Sequence, residues 1–260
     1  MFDVRGAVVV VTGASSGLGR RFALDMAGAG AVVVVVARRT ELLATLGDEM
    51  RRRSPASSTV ACDVSDTAGF TALLVGVEDE HGRIDVLVNN AGTGPQRGQP
   101  DGLDVYRAVM GTNYFGAVAG TLAVLPGMLA RRRGVVVNVS SDSGRAPGPG
   151  AHEASYSASK AALSAFTESM SFDTEGHGVH LHVLYPGWVP TAMGSAAVDD
   201  GMPMPPPMVR RTEAQVSRLL MAKMGGPKVD IDAAPVARLA PVGRALFPGA
   251  YRKALRKTVG

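Results

Sequence analysis

The sequence predicts an α/β domain of the doubly wound type, with a central parallel sheet flanked by helices. Three observations carry the prediction. Continuous β-branched runs (AVVVVTG, AVVVVVAR, STVACDVS, IDVLVNNAG, GVVVNVSS and VHLHVLYPG) recur along the chain. Between them lie segments such as GRRFALDMAGAG and TELLATLGDEMRRR, whose apolar residues fall at helical spacing. A glycine-rich stretch, TGASSGLGR at 12–20, joins the first run to the first helical segment. Strands that read as unbroken apolar runs are buried on both faces, so the sheet must be parallel and lie between helical layers, and the alternation is that of βαβ units.

The chain has 260 residues, 46% hydrophobic and 19% charged, which suits one globular domain with a full core. Neither a repeat nor a linker divides it, so 1–260 is taken as a single domain. Its 32 glycines follow no collagen period and suggest tight turns and close backbone approaches. A lone cysteine, Cys62, excludes an internal disulfide and fits a reducing compartment. The runs 7–11 and 31–37 fall short of the roughly 20 apolar residues that span a bilayer. The opening MFDVRGAVVVV, with Asp3 and no small-residue cleavage site, reads as a strand rather than a signal peptide. A cytoplasmic location is therefore expected. The net charge is +4. The basic clusters at 51–53 and 131–133 follow helical segments, where cations complement the helix dipole. Without interleaved aromatics they read as solvated helix ends, and nucleic acid is not an expected partner.

After residue 190 the alternation breaks down. GSAAVDDGMPMPPPM (194–208) is rich in Gly, Pro and Met, and Thr212 caps a helix beginning TEAQVSRLL. Residues 192–228 are expected to form a substrate lid, and 229–260 a basic extension. No acid follows Asp232, whereas Arg238, Arg244, Arg252, Lys253, Arg256 and Lys257 lie among apolar residues. Pro235, Pro241 and Pro248 prevent one long helix there. Contact of this tail with an anionic membrane surface is an open alternative. Packing over the substrate pocket or against a neighbouring subunit is preferred.

The glycine loop carries the first chemistry. Gly13 supplies a tight turn, Gly17 admits a pyrophosphate close to the backbone, and Gly19 lets the helix approach the strand; Ser15, Ser16 and Leu18 complete the loop. Free N–H groups at the helix start then face the phosphates of a dinucleotide. The second strand ends in Arg38 and Arg39, with no acid before Glu41. An acid would bind the 2′-hydroxyl of NAD, whereas arginine suits a 2′-phosphate, so NADP(H) is favoured over NAD(H). Downstream, Tyr156 precedes Lys160 by one helical turn in ASYSASKAALSAF, which puts both on one helix face.

The G-x-x-x-G-x-G spacing differs from the G-x-G-x-x-G of many Rossmann-like domains. With CDV at 62–64, NNAG at 89–92, Asn113 in VMGTNYFG, Tyr156-x-x-x-Lys160 and YPGWVPT at 185–191, it resembles the short, single-domain branch of the short-chain dehydrogenase/reductase family. The resemblance runs from residue 5 to about 225. It implies that Asp63 and Val64 cup an adenine and that Asn90, Ala91 and Gly92 line the cofactor site. It also implies that Pro186, Gly187, Val189 and Thr191 hold the nicotinamide end. Tyr156 and Lys160 would be the catalytic pair, and Asn113 would hold a water linking Lys160 to solvent. Ser16 departs from those NADP-using relatives that carry a basic residue at its position. A serine should bond the substrate oxygen. Counting back from Tyr156 by the family's usual separation selects Ser143, whereas the strand-end pattern V-S-S-x-x-G selects Ser141, with Gly144 after it and a longer loop, RAPGPGAHEAS. Ser141 is preferred because a strand end positions a side chain better than a loop count does.

The resemblance implies a carbonyl–alcohol oxidoreductase working on a small molecule, as a homodimer or homotetramer through the helix bearing Tyr156. A phenol with its ordinary pKa near 10 is about one-thousandth ionised at pH 7. Lys160 and an oxidised nicotinamide would be expected to bring it towards about 7. Met193, Met202, Met204 and Met208 would give the lid an adaptable apolar lining, suited to a hydrophobic ketone. Two other readings are a cofactor-sensing binding protein with little turnover, and a lipid-surface protein acting through the basic tail. No metal is expected: His180 and His182 share one face of a strand but lack further ligands nearby and read as sheet-surface residues. The sequon at Asn138 falls in a strand that should be buried.

Overall fold

In the computed structural model, which describes residues 1–94, 102–148, 151–199 and 204–256, the apolar runs become a seven-stranded sheet. The strands are β1 (Val8–Thr12), β2 (Val32–Ala37), β3 (Ser58–Ala61), β4 (Val86–Asn89), β5 (Gly134–Val139), β6 (Val179–Tyr185) and β7 (Asp230–Asp232), in the order 3-2-1-4-5-6-7. Every pairing is parallel. Between them run α1 (Gly17–Gly28), α2 (Thr40–Arg51), α3 (Thr67–His81), α4 (Leu103–Met110), α5 (Gly116–Ala130), α6 (Asp142–Arg145), α7 (Ala151–Thr174), α8 (Ala192–Asp199) and α9 (Glu213–Lys223). Two further helices, α10 (Leu239–Leu246) and α11 (Pro248–Arg256), end the described chain.

The period-two geometry of a strand divides the β-branched runs between two cores. Val9, Val11, Val33 and Val35 pack with Phe22 and Met26 of α1, while Val10, Val34 and Val36 pack with Phe70 of α3 and Met128 of α5. Both faces are dry, as unbroken apolar strands require. The strand order reverses between β1 and β4, and a crevice at the carboxyl ends of those strands is where such sheets bind ligands.

Four features differ from the sequence expectations. The edge strand β7 comes from DID, too short to show a period. Thr212 caps α9 through a reciprocal capping box with Gln215, but α9 belongs to the core rather than to a lid. Its Val216 and Leu220 are fully buried with the α1 residues, because three-to-four-residue spacing gives it an apolar stripe. His182 is buried rather than on the sheet surface: its Nδ1 faces Lys228 O at 2.9 Å, and its Nε2 accepts from Gly225 N at 2.9 Å. Burial pushes its pKa down to about 4. Finally, the helical stretch Leu103–Ala130 is long and apolar enough, by length and composition, to cross a bilayer, which the separate runs did not suggest. Here it is a core helix, with Val124 and Met128 buried against the sheet and Asn113 and Thr121 buried inside the protein.

Polar side chains also cross the sheet interior. Asn89 Nδ2 donates to Asn138 Oδ1 at 2.8 Å and Asn138 Nδ2 donates to Thr167 Oγ1 at 2.9 Å, tying β4, β5 and α7 together. Asn138 is fully buried, as its strand predicts. Replacing it with alanine removes two buried hydrogen bonds, each worth about 0.5–1.5 kcal/mol, or about 1–3 kcal/mol together. Asn138→Ala is therefore expected to lower unfolding free energy by that amount, read as a reduced urea midpoint at unchanged slope.

Candidate active site

One cleft of about 590 Å³ opens at the carboxyl ends of the central strands. It brings together every site residue expected from the sequence except Gly19 and Asn113, which stand behind its wall. Its floor is the glycine loop. Gly13 has φ +65°, and a Cβ there would lie 2.6 Å from Ala91 Cα. Gly17 has φ +59°, and its Cβ would press on Thr191 Cγ2 at 3.1 Å. A side chain at Gly19 would strike Gly13 O at 2.6 Å and the Asn90 amide, so this glycine allows α1 to approach β1. The NNAG segment braces the loop. Asn90 N and Ala91 N both donate to Thr12 Oγ1 at 3.0 Å, and Asn90 Nδ2 donates to Thr12 O at 3.0 Å.

The helix α1 starts with its first N–H groups facing this cleft, and the Ser16 side chain does not cap them. Arg39 reaches back over the loop instead, donating to Ser15 Oγ at 2.8 Å and Ser16 Oγ at 2.7 Å. Arg38 pairs with Asp63 Oδ2 at 3.3 Å. Bare glycine backbone, an uncapped helix start and two guanidinium groups at the rim form a cradle fitted to the phosphates of a dinucleotide. Asp63 is held below its ordinary pKa despite partial burial, by Ser65 and Arg38. Cys62, also on the cleft, is pushed up by burial and by Asp66 and Asp63.

At the other end stand Ser141, Tyr156 and Lys160. Ser141 caps α6, accepting from Ser143 N at 3.2 Å, and its side chain lies near enough to the Tyr156 hydroxyl to lower its pKa. Ser143 also lines the cleft, but it is Ser141 that meets the phenol. Lys160 Nζ donates to Val139 O at 2.8 Å and lies 5.9 Å from the Tyr156 ring centre. Gly144 lets α6 rest on α7, since a Cβ there would sit 2.8 Å from the Lys160 carbonyl carbon.

The electrostatics differ from expectation. Burial pushes the Tyr156 phenol above 10, Ser141 opposes this, and the carboxylates of Glu153 and Asp142 add to the rise. Burial likewise brings Lys160 down to about 8. Desolvation, the largest of these influences, thus keeps the phenol in its protonated form among the protein's own groups.

Asn113 sits in a π-helical turn, Gly111–Phe115, between α4 and α5. Its Oδ1 accepts from Thr93 N at 2.8 Å, and its Nδ2 donates to Thr93 O and Ser159 Oγ, each at 3.0 Å. Both amide hydrogens are taken, so the side chain clamps Thr93 rather than offering a donor to a water. Beyond Pro186, the turn at Gly187 (φ +70°) lets Trp188 N donate to Val209 O at 2.9 Å. Of the lid methionines only Met193 lines the cleft, with its Cγ against Gly94; Met204 and Met208 are exposed outside it, and Met202 lies outside the described residues.

Sequence reasoning missed Glu153, Ser140 and Arg145. Glu153 lines the cleft three residues before Tyr156, a helical spacing that offered a signal. Ser140 Oγ donates to Lys160 O at 3.0 Å. Arg145 had no local signal: it pairs with Asp230 and Asp232 at 2.6 Å each, far along the chain, and its guanidinium covers the Tyr185 ring. Arg238 joins both carboxylates. Asp142 lies 3.8 Å from Arg145, and its Oδ1 is buried without a hydrogen-bond partner among the described residues.

Comparison with known proteins gives a consistent result. Residues 7–201 match a family model described as short chain dehydrogenase. The protein named dehydrogenase/reductase SDR family member 7B from Bos taurus is 36% identical over 95% of this chain and 80% of its own length. The chain spans less of some other relatives, 64% of a short chain dehydrogenase from Pseudocercospora fijiensis and 65% of the Danio rerio member 7B. Among solved structures, an actinorhodin polyketide ketoreductase variant with NADPH superposes with a TM-score of 0.77 at 29% identity, covering 87% of this chain and 95% of that one. A metagenomic short-chain oxidoreductase in complex with NADP reaches 0.64 at 34% identity, over 72% and 84%.

The Asp142 environment makes a stability prediction. Its carboxyl pKa rises from 3.8 to about 6, through burial and Asp232, with Arg145 opposing. A raised carboxyl pKa means that the folded state binds the extra proton, so this group's contribution falls as pH rises from about 4 to 6 and stays unfavourable above. Asp142→Asn is expected to raise stability at pH 7 by about 1–2 kcal/mol relative to the parent and to gain nothing at pH 3.5, measured by urea unfolding at both pH values.

Proposed function

The chain belongs to the short-chain dehydrogenase/reductase family of NAD(P)-dependent oxidoreductases, and on that premise we propose that it reduces a hydrophobic ketone or aldehyde with NADPH, using Tyr156 as general acid. What carries this is the convergence of Ser141, Tyr156 and Lys160 at one end of a cleft whose other end bears Arg38 and Arg39, with desolvation holding the phenol in its protonated form.

The nicotinamide, when bound, supplies the hydride to the carbonyl carbon. The residues do the rest. Tyr156 donates its proton to the carbonyl oxygen as negative charge develops there, and Ser141 Oγ–H steadies that oxygen. At pH 7 the phenol is in the acid form this direction needs. Lys160, still largely charged at neutral pH, lowers the cost of leaving the phenol ionised after transfer. Arg39, already held over Ser15 and Ser16, and Arg38 are the groups that would select a 2′-phosphate. Met193, Ala196 and Ala197 give the substrate end an apolar wall. A polyketide ketoreductase among the structural neighbours supports a ketone of that hydrophobic kind.

The test is a carbonyl panel with four variants. Tyr156→Phe should lose about 10²–10⁴-fold in turnover while keeping NADPH binding, followed through Trp188 fluorescence. Ser141→Ala should lose about 10²–10³-fold, whereas Ser143→Ala should stay near parental activity. Full turnover by Tyr156→Phe would end the reductase reading, and a reversal of the two serine results would exchange their roles. Replacing both Arg38 and Arg39 with alanine should weaken NADPH binding at least tenfold and leave NADH binding unchanged.

The pH profile is a separate prediction. Reduction needs the Lys160 ammonium and the Tyr156 phenol, and the first of these to be lost on raising pH is Lys160, at about 8. Reductive kcat/KM should be level near neutrality and decline above about pH 8. A rate that climbs through that range would contradict the acid role.

A further inference from the structure

Among the described residues, none of the C-terminal extension lines the cleft, over which the sequence expectation would have it pack. It folds into a 3-10 turn, Pro235–Arg238, followed by α10 and α11, with Pro248 starting the second helix. Leu239, Val242 and Leu246 fall at i, i+3 and i+7, on one face of α10. That face points outward: the three are 66%, 51% and 66% exposed, and the following Phe247 is 66% exposed. Four large apolar side chains held together in water mark an interaction surface rather than ordinary scatter.

Charge selects the partner. Arg244, on the opposite side of α10 from this stripe, and Arg252 and Lys253 of α11 are exposed, and among the described residues none of them is ion-paired with a carboxylate. The chain has no acidic residue after Asp232. Arg238 is different: it is committed to Asp230 and Asp232 and anchors the extension to the sheet edge. A second copy docking the same face across a two-fold axis would bring these cations against their own counterparts. A different apolar set, Leu122 of α5 and Phe172 of α7, is also exposed.

We propose that α10 and α11 form an interfacial docking element for an anionic lipid bilayer. Leu239, Val242, Leu246 and Phe247 enter the boundary between headgroups and acyl chains, and Arg244, Arg252 and Lys253 face the negative headgroups. Neither feature alone suffices: the stripe is small, and surface cations are screened by salt. The proposal does not depend on the substrate or the direction of the reaction.

The experiment is co-sedimentation of the full chain with vesicles of phosphatidylcholine alone, or with about one third phosphatidylserine. Two variants are compared, Leu239→Ser/Val242→Ser/Leu246→Ser/Phe247→Ser and Arg244→Gln/Arg252→Gln/Lys253→Gln. Both keep the cleft intact, and unchanged NADPH binding checks their folding. The parent should sediment with the anionic vesicles and little with the neutral ones. The charge variant should lose about fivefold in partitioning per cation, on the order of 100-fold in all, and the serine variant at least about tenfold. A chain left in the supernatant with both vesicle types overturns the proposal. So does equal binding to neutral vesicles, or binding indifferent to the serine substitutions. A parent dimer that the serine variant converts to monomer, without vesicle binding by the parent, would assign the face to a subunit interface and overturn it as well.

Discussion

Lys160 and the end of β5 hold each other twice. The ammonium donates to Val139 O at 2.8 Å, and the next residue of the strand, Ser140, donates its hydroxyl to Lys160 O at 3.0 Å. Ser164, one turn further along α7, meets that same Ser140 hydroxyl at 2.8 Å. A helix surface set against a strand end by three hydrogen bonds has little freedom to slide or rotate. Tyr156, one turn before Lys160, and Ser141, one residue past Ser140, inherit their mutual position from that clasp. The glycine loop inherits its own from a matching brace at the end of β1, where Thr12 Oγ1 takes two backbone N–H groups of NNAG. Both devices answer one constraint. Parallel strands run out together at one edge, and the polar groups exposed where they end must find partners inside a dry protein.

That dryness also sets the chemistry. The desolvation that makes the Lys160–Val139 bond strong is what lowers the lysine to about 8 and raises the tyrosine. Each group is displaced towards its neutral form, so the pair is balanced for giving a proton at neutral pH rather than for taking one. Glu153 and Asp142 push the phenol the same way. Ser141 opposes them, which gives its hydroxyl an electrostatic task as well as a positional one.

Most of the fold was legible because the sheet is buried on both faces: β-branched runs announce it without any knowledge of packing. The glycine loop and the Tyr156–Lys160 pair were legible because each is local, a turn and a single helical period. What escaped depends on distance along the chain. β7 is three residues long and acquires its meaning only beside β6. α9 was read with the lid since its sequence neighbours are Pro- and Met-rich, yet its apolar stripe meets α1, nearly two hundred residues earlier; Ser217 even donates to Asp25. The burial that raises the Tyr156 phenol was not legible, because composition cannot report desolvation.

The choice between Ser141 and Ser143 turns on the same contrast between local and distant information. A count along the chain treats the loop before Tyr156 as a ruler, and an insertion in that loop defeats it. The structure anchors the segment ahead of the insertion. Ser141 caps α6 at one end; at the other, Arg145 is fastened to Asp230 and Asp232 and stacked on Tyr185. Gly144 seats the short helix directly on the Lys160 peptide. A four-residue helix has negligible stability alone, so tertiary contacts must hold it, and they hold it upstream of the added residues. Extra length after Arg145 can then be absorbed without moving Ser141 relative to Tyr156. The anchor on the far side is the strand from which the C-terminal extension departs, and Arg238 at its start shares the two carboxylates with Arg145. The serine turn and the tail are thereby fixed to one pair of aspartates, which makes the sheet edge at β7, invisible as a pattern, a structural support for the site.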